Sequence, residues 1–414
     1  MEEIRPGSID GIASAPPSKS MMQRAIAAAA LANGKSVIGN PSTCEDALAA
    51  MKAVEAIGAS VDVSGGKALV NGGGKKTGGK LDCGESGLCM RMLSPVCSLF
   101  DNEFVLSGRG SLLERQAGMI EGPLRQLGAK CETNKGKPPI TIHGPIHGGE
   151  IEIDGSQSSQ FLTGLLMALP LCKEDSVVKV KNLKSKPYVQ MTLGLLEKFG
   201  IAVEASGKLD EFRITGRQRY TPANYDVEGD WSGAAFLLVA GAIAGRVTVS
   251  GLREDSLQAD RAIVDALQKA GAKVNVQMGE VDVRKGTLVA FDFDAADCPD
   301  LFPPLAVLAC NCKGKSRLKG ALRLKGKESD RGAALVSELG KLGAKITVEG
   351  DEMTIMGGTL SGGEVDSHND HRIAMACAVA ALNCSSGVRI TNENCVAKSY
   401  PKFFEDLEKI RVVL

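Results

Sequence analysis

Apolar and polar positions along the 414 residues follow two periods in turn. Leu335, Val336, Leu339 and Leu342, like Ile263, Val264 and Leu267, have the spacing of a helix with one apolar face. Each such stretch runs into a glycine, and apolar–polar alternation, the mark of a half-buried strand, follows at once. The junction glycines are Gly58, Gly128, Gly200, Gly271 and Gly343, returning roughly every 70 residues. A glycine there can take the left-handed conformation that ends a helix. Beyond Gly271, the run Val274-x-Val276-x-Met278, a Gly279-Glu280 turn and Val281-x-Val283 predict a β-hairpin.

A second marker repeats in phase. Short strands close on a turn residue at Ser36–Asn40, Phe104–Gly108, Val177–Asn182, Val247–Gly251, Arg317–Gly320 and Val388–Asn392. Small apolar stretches precede them, among them Ala25–Leu31, Phe161–Leu169, Ala234–Ile243 and Ile373–Leu382. Helices apolar nearly all round must be buried. The unit is therefore polar loop, buried helix, strand, polar loop, amphipathic helix, glycine stop and hairpin. Leu407-Glu-Lys-Ile410 matches Leu196-Glu-Lys-Phe199, so the sixth copy stops where the sequence stops. These patterns predict an α/β fold of two similar domains, each of three repeated α/β units, facing one cleft. The expected break lies near Tyr225–Asp230, giving 1–16 plus 228–414 as one domain and 17–227 as the other.

Composition narrows the function. Lys+Arg and Asp+Glu number 49 each, so no global field draws in nucleic acid or an anionic membrane. Aromatic residues, at 4%, are too few for a base-stacking platform. The 12 cysteines include no Cys-x-x-Cys pair and read as small core residues. The charged start at Met1–Pro6 lacks the apolar core of a signal peptide, and no run reaches the ~18 apolar residues of a membrane span. A cytoplasmic chain is expected, and a monomer, because six units already bury one another.

The polar loops lie at helix N-termini, where backbone donors and the helix dipole favour anions. Pro16-Pro-Ser-Lys19-Ser20-x-x-x-Arg24 opens the first unit, with Ser20 the expected cap and Arg24 one turn on. Gly155-Ser-Gln-Ser158-Ser159-Gln160 offers hydroxyls and amides to a phosphate or a sugar. Asp230 reads as a helix cap, and His368 and His371 lack a third partner at zinc spacing. Arg115, Ser185-Lys-Pro-Tyr188, Lys325-Gly-Lys327-Glu328-Ser-Asp330-Arg331 and Lys398 recur at matching phases in the second loops, and Arg372 stands at the start of the sixth unit's buried helix. Lys19, Arg115, Arg331, Arg372 and Lys398 together exceed what one small anion needs, so two anionic substrates are expected. No nucleotide loop or nucleophile elbow accompanies them. Asp300 and Glu328, set among the cations, are the candidate general base and acid for group transfer.

These motifs, with Asn369-Asp370-His371-Arg372 and Ala397-Lys398-Ser-Tyr-Pro, resemble the 5-enolpyruvylshikimate-3-phosphate synthases over essentially the whole chain. The resemblance implies an inside-out α/β barrel in each domain, an active site in the interdomain cleft, and neither cofactor nor metal. It implies enolpyruvyl transfer from phosphoenolpyruvate to the 5-hydroxyl of shikimate 3-phosphate. Lys19, Ser20, Arg24, Ser158, Ser159, Ser185, Tyr188 and Lys327 would hold shikimate 3-phosphate. Gly87, Arg91, Arg115, Gln160, Arg331, Arg372 and Lys398, with Lys19, would hold phosphoenolpyruvate. Asp300 would take the hydroxyl proton, Glu328 would protonate the methylene carbon, and Lys19 would assist.

One loop departs from the family's Gly-Asn-Ala-Gly-Thr-Ala-Met-Arg-Pro and reads Gly84-Glu85-Ser86-Gly87-Leu88-Cys89-Met90-Arg91-Met92. A carboxylate at Glu85 disfavours an anion unless Arg91 or Lys19 offsets it. Two other readings share some of these residues. The related transferase acting on UDP-N-acetylglucosamine would need a Lys-Asn start and a reactive loop cysteine. A binding module without turnover would keep the cations, but the intact Asp300 and Glu328 argue against it.

Overall fold

The computed structural model describes residues 1–412. The chain divides into two units, Met1–Pro16 with Glu228–Leu414, and Pro17–Val227. The second holds the buried helices Lys19–Leu31, Gly87–Cys97 and Gln160–Ala168; the first holds Trp231–Ala244, Phe302–Cys310 and His371–Ala381. Apart from Ser232 and Ala244, every residue of Trp231–Ala244 is buried, as a helix without a polar face requires. In the first unit the three buried helices pack against one another in all pairs. In the second, Gly87–Cys97 lies against both others.

Sheets cover these helices. Five are four-stranded and one is three-stranded among the described residues. Gly149–Asp154 shows the pattern: it runs parallel to Ser176–Lys181, the strand after the buried helix. Ser176–Lys181 then pairs antiparallel with Glu211–Ile214, which pairs with Glu204–Ala205. Parallel strands need a crossover, and the buried helix supplies it.

Two strands pair out of sequence order. Ile9–Ser14 precedes the helix Lys19–Leu31 but runs parallel to Gly245–Ser250. Asn224–Asp226 precedes Trp231–Ala244 but runs parallel to Gly34–Gly39. At each passage between units the chain leaves its last strand behind, completing a sheet of the unit it quits. Among the described residues no hairpin follows Val388–Thr391, and Glu2–Ile4 takes that edge, antiparallel to it.

The five junction glycines have φ of 92, 105, 78, 89 and 89° in chain order. The residue after each donates its N–H five residues back: Ala59 to Val54, Ala129 to Leu124, Ile201 to Leu196, Ala272 to Leu267 and Ala344 to Leu339. This is the Schellman closure that satisfies otherwise orphaned helix carbonyls. All twelve cysteines are free and buried. No described helix is long and apolar enough to cross a membrane.

The glycine stop makes a stability prediction. A Cβ at Gly271 would lie 2.4 Å from the Thr287 carbonyl oxygen, on a backbone at φ +89°. Gly271→Ala should cost about 2 kcal/mol, read as a lower urea midpoint. Gly340, inside the helix Arg331–Lys341 with nothing within 4 Å of an added Cβ, should gain roughly 0.5–1 kcal/mol as alanine. Equal shifts in the two variants would refute the left-handed stop.

Candidate active site

In the unit of residues 17–227, Ser18 rather than the expected Ser20 caps the first buried helix, accepting from the Met21 N–H at 3.5 Å. Lys19 and Ser20 thus lie inside the first turn. Lys19 Nζ is 3.0 Å from Asp46 Oδ2, at the start of the helix Glu45–Ala53. Arg24 is fully buried; it donates Nε to Thr192 Oγ1 (3.0 Å), Nη1 to the Ser20 carbonyl (2.9 Å) and Nη2 to the Tyr188 carbonyl (3.4 Å). Burial lowers its pKa to about 10. Ser185 precedes the helix Lys186–Lys198 at φ 56°, and its carbonyl accepts from Tyr188 N. Thr163 Oγ1 donates to the Ser159 carbonyl and lies 3.2 Å from Thr192 Oγ1. These contacts gather Ser20, Arg24, Ser159, Ser185 and Tyr188.

A second group forms where the helix Gly87–Cys97 begins. Ser86 caps it by accepting from Cys89 N, and its hydroxyl donates to the buried Gln23 Oε1 at 2.9 Å. Arg91 Nη1 donates to Gln160 Oε1 at 2.8 Å and Nη2 to the Gln116 carbonyl at 2.9 Å. Ser158 Oγ accepts from Gln160 N at 3.1 Å. A Cβ on Gly87 would lie 2.7 Å from Arg115 Nη1 and 2.9 Å from Arg91 Nη1. The missing side chain therefore lets two guanidinium groups approach one helix start, which suits an anion. The Glu85 carboxylate accepts from Ser111.

In the other unit the charges lock together around Arg331, which is 1% exposed. Asp330 caps its helix through Ala333 N, leaving Arg331 as the first helical residue. Its Nη1 is 2.7 Å from Asp300 Oδ1, Nη2 is 2.5 Å from Glu328 Oε2 and Nε is 2.8 Å from Asp370 Oδ2. Arg372 Nη2 lies 3.1 Å from Asp300 Oδ2, and Lys327 Nζ 3.6 Å from Asp300 Oδ1. Lys398 Nζ donates to the Asn369 carbonyl at 2.6 Å. Asp370 caps the helix His371–Ala381 through Arg372 N.

Burial alone would raise the Asp300 carboxyl; Arg372, Lys327 and Arg331 outweigh it and hold the group well below the ordinary range. Burial lowers the Lys327 ammonium against the pull of Asp300. Asp260, buried with its Oδ2 bonded to the Ser232 hydroxyl, is pushed up to about 7, first by burial and then by Asp300.

The sequence motifs place Asp300, Lys327, Glu328, Arg331, Arg372 and Lys398 in one unit and the other predicted site residues in the second. Their partners Asp46, Asp260, Thr163 and Thr192 escaped sequence reasoning. Asp46 and Asp260 occupy the same second-loop phase as the cations, which is the one signal that marks them. His368 Nε2 lies 2.9 Å from the buried Glu338 Oε1. Among the described residues no three His, Cys, Asp or Glu side chains could hold a metal ion.

Residues 4–407 match the family described as EPSP synthase (3-phosphoshikimate 1-carboxyvinyltransferase). A Clostridium perfringens protein named 3-phosphoshikimate 1-carboxyvinyltransferase is 39% identical over 417 residues, covering 99% of this chain and 98% of its own. A Methanocorpusculum labreanum protein of the same name is 41% identical over 409 residues, covering 97% and 96%. The structure of EPSP synthase from Acinetobacter baumannii superposes with a TM-score of 0.84 at 28% identity, covering 99% of this chain and 98% of that one.

The electrostatics set a pH expectation. The folded Asp300 carboxyl is depressed, so its stabilising contribution is present above the ordinary value of about 3.9 and is lost only as pH falls through the lower folded value. Its carboxyl carbon resonance should stay unmoved from neutral pH down to about 3. A titration step at the ordinary position would show that the three cations do not cage it.

Proposed function

The chain belongs to the EPSP synthase family, and from that premise we propose that it transfers the enolpyruvyl group of phosphoenolpyruvate to the 5-hydroxyl of shikimate 3-phosphate. The products are 5-enolpyruvylshikimate 3-phosphate and phosphate. In the addition step the 5-oxygen bonds to C2 of phosphoenolpyruvate while its C3 methylene takes a proton. In the elimination step C3 loses a proton and the bond from C2 to the phosphate oxygen breaks.

The observation that carries this reading is the pair of carboxylates, Asp300 and Glu328, held on one buried guanidinium, Arg331. Asp300 takes the hydroxyl proton; Glu328 gives the proton to C3 and later removes one. Without ligand, Asp300 is a weak base because cations hold its proton affinity down. Anionic substrates that share Arg372, Lys327 and Arg331 relieve that hold, and burial then raises its basicity toward what base catalysis needs. The charges that bind substrate thus also switch on the base.

Lys19, Ser20, Arg24, Ser158, Ser159, Ser185, Tyr188 and Lys327 take shikimate 3-phosphate in this scheme. Gly87, Arg91, Arg115, Gln160, Arg331, Arg372 and Lys398, with Lys19, take phosphoenolpyruvate. The cations position both substrates and offset the charge that develops as the adduct forms and collapses. The same reading makes the enzyme a cytoplasmic monomer that uses no cofactor.

Phosphate should be released only when both substrates are present. No release, beside normal release by an active control synthase, would refute the proposal. Glu328→Gln keeps an oxygen for Arg331 but cannot exchange the proton. It should lower kcat by roughly 10²–10⁴ while calorimetry still detects both substrates. Lost binding would instead make Glu328 a structural partner of Arg331.

A further inference from the structure

Glu85 brings a carboxylate into the loop that leads to Arg91 and Arg115. Facing a bound anion it would repel it. Its Oε2 accepts instead from the Ser111 N–H and the Ser111 hydroxyl, each at 3.2 Å. Arg115 Nη2 donates to that same hydroxyl at 3.4 Å. A serine hydroxyl has one proton; given to Glu85, it leaves the oxygen lone pairs for Arg115. Guanidinium, hydroxyl and carboxylate form a relay whose direction is fixed by the charge at each end.

The local backbone accommodates this relay. Gly110 has φ +53°, and a Cβ there would lie 2.6 Å from Glu85 Cδ. Gly87 leaves the space that Arg115 Nη1 approaches from the other side. Two residues of one loop thus fix Arg115, Glu85 through hydrogen bonds and Gly87 through its missing side chain.

We infer that Glu85 is a positioning residue that aims Arg115 at the anion through Ser111, and so a determinant of phosphoenolpyruvate affinity rather than a charge opposed to it. The inference rests on the enolpyruvyl-transfer reading. Glutamine at this position keeps an oxygen that can accept both Ser111 donors; alanine keeps none.

Steady-state kinetics on the full chain test it. E85A should raise KM for phosphoenolpyruvate roughly tenfold, with kcat and the KM for shikimate 3-phosphate changed less than about twofold. E85Q should rescue the KM to within about threefold of the parent. S111A, which breaks the relay at its centre, should resemble E85A, and the E85A/S111A pair should be no worse than either alone. E85A binding phosphoenolpyruvate as tightly as the parent, E85Q as impaired as E85A, or additive losses in the pair would each overturn the inference. Should E85A not fold, S111A against E85Q decides it by the same measure. A parent chain without phosphate release would refute the enolpyruvyl-transfer reading separately. Calorimetric titration with inorganic phosphate then decides the positioning role, with weaker binding expected in E85A and S111A but not in E85Q.

Discussion

Six helices with no polar face must be buried along their length, and the rest of the architecture answers that constraint. Trp231–Ala244 could not sit at a surface without exposing an apolar flank. Sheets therefore cover the helices, and four of the six parallel strand pairs among the described residues are joined through one of them. A buried helix can present polar groups only near its ends. Its N-terminus, with unpaired N–H groups and the positive end of the dipole, becomes the place for charged side chains and for anions. Lys19, Arg91 and Arg372 lie in the opening turns of buried helices, and Arg331 opens the amphipathic helix Arg331–Lys341.

Both units hold carboxylates at that position, Lys19 on Asp46 and Arg331 on Asp300, Glu328 and Asp370. Around Arg331 the cations already hold carboxylates, so binding an anion there competes with internal ion pairs. Such an arrangement lowers intrinsic anion affinity and couples binding to the proton affinity of Asp300. Arg24, by contrast, donates to carbonyl and hydroxyl oxygens. Neutral acceptors orient a guanidinium while leaving its charge less compensated.

Local rules explain what could be read from the chain. A left-handed glycine, an alternating strand and a small apolar helix each depend on a few neighbouring residues, and each recurs in phase. Gly58 through Gly343 are legible for that reason, as are the cationic loops. The strand pairings of Ile9–Ser14 and Asn224–Asp226 are not legible, because strand alternation says nothing about the partner. The same holds for Asp46 with Lys19, joined across the two loops of one repeat, and for Thr192 with Arg24, joined across repeats. Ser18 and Ser20 flank Lys19, and either could cap from sequence; two residues of helix boundary separate them.

Glu85 shows why charge sign alone misleads within a site. From sequence it is a negative group where an anion should go. What decides its effect is which groups the carboxylate meets: its Oε2 accepts from Ser111, whose hydroxyl in turn accepts from Arg115. Asp370 acts in the same way on Arg331, bonding Nε and Nη2 while capping the helix that bears Arg372. In both units, then, a carboxylate sets the aim of an arginine. The difference is that Asp300 and Glu328 also share the arginine they help to hold, so a change of charge at Arg331 acts on both carboxyls.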